Sequence, residues 1–156
     1  MFDFVDHIWS DLHPILSHFP IALLFFGGAL AVASRRWPDL TRFAVLVLVT
    51  GAVSTLPSVI SGLVAHFPYE ESSLHGAVEQ HQLLAFGTTL LFLILGTWAW
   101  RTRHKPVPGV STGPFLAVLA VGLILLTVVG GTGGELVYGH GIGVRGVNPL
   151  LDATQP

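Results

Sequence analysis

The chain has 156 residues, 51% of them hydrophobic and 10% charged, where a soluble domain carries about a quarter charged residues. A mean hydropathy of +0.70 marks an integral membrane protein in a single domain, and a net charge of −2 without a basic patch argues against a nucleic-acid partner. Cysteine is absent and the sole methionine is Met1, which excludes disulfides, thiolate zinc sites, iron–sulfur ligation and covalent c-type haem, and leaves thioether ligation without a suitable donor.

Four apolar stretches are long enough to cross a bilayer as helices. Before the first, residues 1–12 carry Asp3, Asp6 and Asp11 and no Lys or Arg, so this span is expected to insert without cleavage. It covers about 14–33. Pro14 suits a first helical position, with His13 near the cap, and Pro20 should kink the span or open its first turn. The second span covers 43–66, with a bend expected at Pro57. It carries a stripe of small residues: Gly51, Ser54, Thr55, Ser58, Ser61, Gly62 and Ala65. These recur at steps of three and four on one helical face. Such a stripe serves either close helix packing or a smooth wall for a flat ligand. The third span covers 79–100, with a polar start through Glu79, Gln80 and His81. The fourth covers 115–138 and ends in the glycine-rich run Gly130, Gly131, Gly133 and Gly134.

Six of the seven basic residues (Arg35, Arg36, Arg42, Arg101, Arg103, Lys105) fall in the first and third connections. Short basic loops stay in the cytoplasm, so both termini are expected outside. Eight of the nine acids, all but Asp39, fall on the outer face. Trp9, Tyr69 and Tyr138 at one level, and Trp37, Trp98 and Trp100 at the other, suit two interfacial aromatic belts.

Alternation of the spans gathers seven of the eight histidines on that outer face. Imidazole is the usual protein ligand for haem iron and for many transition metals. His18 lies a turn inside the first span, where an unpaired ring in lipid is costly, and is expected to point into the bundle. His81 enters the third span at similar depth. His13 is five residues from His18, about 140° around a regular helix, so the two do not face one ligand without distortion. His7, His66 and His75 read as solvated loop residues, with His75 and Glu79 placed to pair across one turn. His104 alone lies on the inner side. Glu135 is a carboxylate at membrane depth that could orient a histidine ligand or relay a proton. Arg145, the single outer-face cation, could meet a haem propionate. Serines near histidines have no elbow or oxyanion context, which argues against a hydrolase.

The stretches L-H-P-I-L-S-H-F-P-I-A-L-L (Leu12 to Leu24), E-Q-H-Q-L-L-A (Glu79 to Ala85) and G-G-E-L-V-Y-G-H-G-I-G-V (Gly133 to Val144) resemble the bacterial four-span membrane family known as domain of unknown function 2231. The resemblance covers nearly the whole chain. It implies histidines of functional weight at His13, His18, His81 and His140 and an acid at Glu135. It also implies a redox setting, because similar domains are fused to Rieske-type ferredoxin modules or accompany c-type cytochromes.

The expected protein is therefore all-α, an integral membrane antiparallel four-helix bundle in the bacterial inner membrane with extracytoplasmic termini. It is expected to bind haem b non-covalently near the outer face by bis-His ligation and to carry electrons, as a redox carrier or subunit rather than a stand-alone enzyme. The first ligand pair is His18 with His81, and the reserve pair is His13 with His140; one or two haems fit this set. The partner would be a separate Rieske-type or c-type cytochrome protein, with the chain alone or in a homo- or hetero-oligomer. Two alternatives stand beside it. One is a zinc or copper(II) site built from His13, His18, His81, His140 and Glu135. The other is a cofactor-free structural subunit of a membrane complex.

Overall fold

A computed structural model describes residues 8–144 and 147. Four long helices carry the chain: α1 (Ile8–Ala33), α2 (Thr41–His66), α3 (His75–Thr102) and α4 (Gly113–Tyr138). Each is long and apolar enough to cross a membrane, and no strand occurs among the described residues. Three short 3-10 turns, Pro38–Leu40, Phe67–Tyr69 and Gly109–Ser111, lie in the three connections.

Local chemistry sets the ends. Thr112 is extended (φ −81°, ψ 147°) and the first turn of α4 holds Pro114, whose fixed φ and missing N–H suit a helix start. Beyond Tyr138 the chain reverses at Gly141, where φ is +68°, a region that a side chain disfavours. The reversal lets Ile142 N–H reach Leu136 O at 3.0 Å. Helix α1 differs from the expected span. It begins at Ile8, so Pro14 and Pro20 both lie in its interior, and it stays helical through both. Each proline removes one backbone hydrogen bond, and a 26-residue helix retains the rest. Helix α2 likewise runs through Pro57.

Helices adjacent in sequence pack side by side and antiparallel, most extensively α1 with α2, and α1 meets α4 to close the ring only weakly. At the α1–α2 seam glycines let the backbones approach. A Cβ at Gly27 would fall 2.9 Å from the Leu48 side chain, and one at Gly51 would fall 2.9 Å from Leu24. The main core (Leu24, Leu48, Phe92, Leu95, Phe115, Leu119 and neighbours) fills the half of the bundle nearer the arginines. There Trp98 and Phe115 meet edge to face at 5.2 Å, and Ser34 Oγ lies 2.9 Å from Ser111 Oγ. A small second cluster of Tyr69, Val78 and Leu136, with Ile142 against it, covers the opposite end.

Between 22% and 39% of the central stretch of each span is buried. Phe19, Phe26, Val32, Ile60, Leu90 and Ile124 point outward with more than half their surface exposed, so the outside of the bundle is as oily as its inside. A bilayer is the solvent that such a surface requires.

Phe92 is 1% exposed and rests against Gly122. Phe92→Ala should lower the unfolding free energy by about 3 kcal/mol, whereas Leu90→Ala, on the outward face, should change it by less than about 1 kcal/mol; reversible unfolding in mixed detergent micelles measures both.

Candidate functional site

The two clusters leave a cleft between them in the histidine-bearing half. Its volume is about 720 Å³, within the usual range for cofactor sites, and all four helices line it. Thr55, Thr88 and Leu126 lie on the core side, and Tyr69, Val78 and Ile142 lie on the capped side. Glycines at Gly130 and Gly134 keep α4 from filling it, since a Cβ at either would meet nothing within 4 Å.

His13 enters from α1. Its Nδ1 lies 3.0 Å from the Ser58 carbonyl and 3.2 Å from Ser61 Oγ, and Ser61 Oγ in turn donates to Ser58 O at 2.8 Å. A carbonyl only accepts, so His13 carries its proton on Nδ1 and leaves Nε2 as a bare lone pair. Gly62 makes room for this ring: a Cβ there would sit 3.0 Å from His13 Cε1.

His81 enters from α3 and docks on α4 in the same manner. Its Nδ1 lies 2.9 Å from Thr132 Oγ1, which donates its own hydrogen to Val129 O at 3.0 Å. The threonine oxygen thus accepts from His81 Nδ1–H, and again Nε2 is bare. Gly133 provides the room, with a Cβ there 3.1 Å from His81 Cε1.

The two rings meet edge-on across the bundle, with centres 6.4 Å apart and planes at 80°. One imidazole comes from each of two diagonal helices. Each is oriented by an acceptor on the neighbouring helix, and each keeps one unprotonated nitrogen. Fixing the far nitrogen in this way is how proteins aim histidines at metals.

The remaining site residues fall elsewhere. His18 is exposed at the edge of the cleft, its Nδ1 donating to Pro14 O one turn back at 2.5 Å. It does not meet His81. The structure brings His13, and not the expected His18, beside His81, because Ser58 O on α2 holds the His13 ring while His18 turns back to Pro14 O on its own helix. The reserve pair is not assembled either. His140 follows α4, exposed, with Nδ1 3.2 Å from Glu135 O, and the Glu135 carboxylate is exposed beside Gly139. Arg145 and His7 lie outside the described residues. Among the described residues no three His, Asp or Glu side chains form a common ligand set, so the five residues of the zinc or copper alternative do not converge.

The small-residue stripe serves both of its readings. At Gly51 it is helix packing, and from Ser58 to Gly62 it is the seat of a histidine. Two histidines that the sequence placed in solvated loops are not free there. His66 is buried and its Nδ1 donates to Gln82 Oε1; its ring lies 5.6 Å from that of His75. The signal available in the sequence was Gln82, a polar amide at the border of the polar start and the apolar part of α3.

No curated protein and no solved structure matches the chain. A family model described as predicted membrane protein (DUF2231) matches residues 10–146, nearly the full length. The chain belongs to this family of predicted membrane proteins.

Proposed function

We propose that the protein is a membrane cytochrome of the b type, in which His13 and His81 hold one haem in the cleft and the protein passes electrons at the histidine-bearing face. The observation that carries this is the close pair of imidazoles. A nitrogen-bound imidazole has its ring centre about 3 Å from the metal, so two imidazoles sharing one metal would have centres up to about 6 Å apart; His13 and His81 stand at 6.4 Å. Both bare Nε2 atoms have no protein partner among the described residues, and both rings are already held in one tautomer. The donor set fits the group: neutral imidazoles, no thiol or thioether, and apolar walls broken by small residues that suit a flat macrocycle.

Haem supplies a one-electron couple when bound. The chain's own residues would do the rest. Ser58 and Thr132 hold the ring orientations, Gly62 and Gly133 make space for them, and the apolar lining excludes water. A haem held by both histidines would have no position left for oxygen, which suits electron transfer rather than oxygen chemistry. On this reading the histidine-bearing end faces the outside of a bacterial cell membrane, because the arginines cluster at the other end. A separate Rieske-type or c-type cytochrome protein would meet it there.

Purified after haem-replete expression, the protein should show a Soret band and, on reduction, the sharp α-band of a low-spin b-type centre. His13→Ala and His81→Ala should each abolish that spectrum, while His18→Ala and His140→Ala should keep it. Absence of a Soret band, or its survival in both of the first two variants, would overturn the assignment in favour of a cofactor-free bundle.

Thr132→Ala removes the side-chain acceptor for His81 Nδ1–H, leaving only the Val129 carbonyl beside the ring, without touching the cleft's volume. Haem retention should fall about tenfold, the usual scale for losing a partner that orients a metal ligand, with helix content by circular dichroism unchanged. Competition for haem by apomyoglobin provides the measurement.

A further inference from the structure

A second pair of histidines lies at the junction of α2 and α3, and one of them, His66, also lines the cleft that holds His13 and His81. His66 closes α2 and His75 opens α3, and their rings lie 5.6 Å apart, tilted by 35°. One nitrogen on each ring has an acceptor on α3. Gln82 Oε1 accepts from His66 Nδ1–H, and Glu79 Oε2 stands 3.6 Å from His75 Nε2. These partners decide the tautomers. An amide oxygen and a carboxylate each draw a proton to the nitrogen they face, so His66 Nε2 and His75 Nδ1 carry lone pairs.

Those are the two buried side-chain nitrogens without a hydrogen-bond partner among the described residues. Two lone pairs cannot satisfy each other, since neither has a hydrogen to give. A buried polar atom left unmatched is costly, and two side by side call for an electron-pair acceptor between or beside them. We infer that His66 and His75 form a dihistidine site for a divalent transition-metal ion of the imidazole-binding kind, copper(II) or zinc, with His66 Nε2 and His75 Nδ1 as ligands. Two imidazoles on one ion in a bent arrangement have ring centres about 5–6 Å apart, given metal–nitrogen bonds of about 2.0–2.1 Å. Gln82 and Glu79 then act as the orienting partners that metal-bound histidines regularly have. The remaining coordination positions are taken by solvent, because Glu79 is exposed and the site lies at the bundle's end.

This site does not depend on the haem assignment, since it shares no ligand with it. The test uses the full-length, tag-free protein in detergent, titrated with copper(II), which binds nitrogen sites most strongly among the divalent first-row ions. One equivalent should bind first and give an electron paramagnetic resonance spectrum split by two imidazole nitrogens. His66→Ala and His75→Ala should each remove that equivalent, and Glu79→Gln should weaken it about tenfold. Because His66 is buried and its loss could disturb folding, His75→Ala, at a partly exposed position, is the deciding variant. His13→Ala and His81→Ala, which report on the haem, should leave the first copper equivalent in place. A first equivalent that survives His75→Ala, one that is lost in His13→Ala instead, or no stoichiometric binding at all would overturn the site.

Discussion

The incomplete closure of the bundle is the constraint on which the rest depends. Large side chains in the arginine-bearing half, Phe92, Phe115, Leu24 and Leu119, pack the four helices together with nothing left over. In the other half the facing positions are Thr55, Ser58, Gly62, Gly130, Gly133 and Gly134, whose side chains are too small to fill the same space. Helices of similar length held at one end by bulk and lined at the other by glycine and serine leave a cleft. The lipid-facing surface does not oppose this, because apolar burial contributes little to helix association where the solvent itself is apolar.

Within that cleft the polar groups obey strict accounting. A hydroxyl or imidazole at membrane depth has no water to turn to, and nearly every one here has a protein partner. Thr55 donates to Ala52 O, Ser61 to Ser58 O and Thr132 to Val129 O, each returning its hydrogen to its own helix. Ser61 and Thr132 keep a lone pair free to accept, and His13 binds Ser58 O beside Ser61 Oγ while His81 binds Thr132 Oγ1. The histidines are thus placed by helices other than their own. That is why their rings come together, with centres 6.4 Å apart, and do not turn back along the chain, as His18 does at Pro14 O.

The four spans were legible because each is a run of apolar residues bounded by prolines, glycines or charges, and the antiparallel alternation put His13, His18, His81 and His140 at one end. Helix rotation was not legible. His13 and His18 lie on different sides of α1, and choosing between them needed the His13 contact with Ser58 O on another helix. His66 was misread because Glu70 and Glu71 follow it closely. Its surroundings are set instead by Gln82, sixteen residues away and on another helix. Sequence neighbours describe a loop residue well and a helix-terminal residue poorly, since the latter is already inside the packing of its partner. The role of Gly133 was equally hidden: among several adjacent glycines, only the rotation of α4 decides which one meets an imidazole.

The contact of Ser34 with Ser111 at the far end has a mechanical corollary. A tilt of α1 about that contact would be felt most at His13, which lies about 30 Å from it along the helix at 1.5 Å per residue. Over such a lever arm, a swing of one degree shifts the tip by about half an ångström, enough to alter the spacing of the His13 and His81 rings. A change in membrane thickness or lateral pressure that tilts α1 by so little would therefore be transmitted to the contact between those two rings.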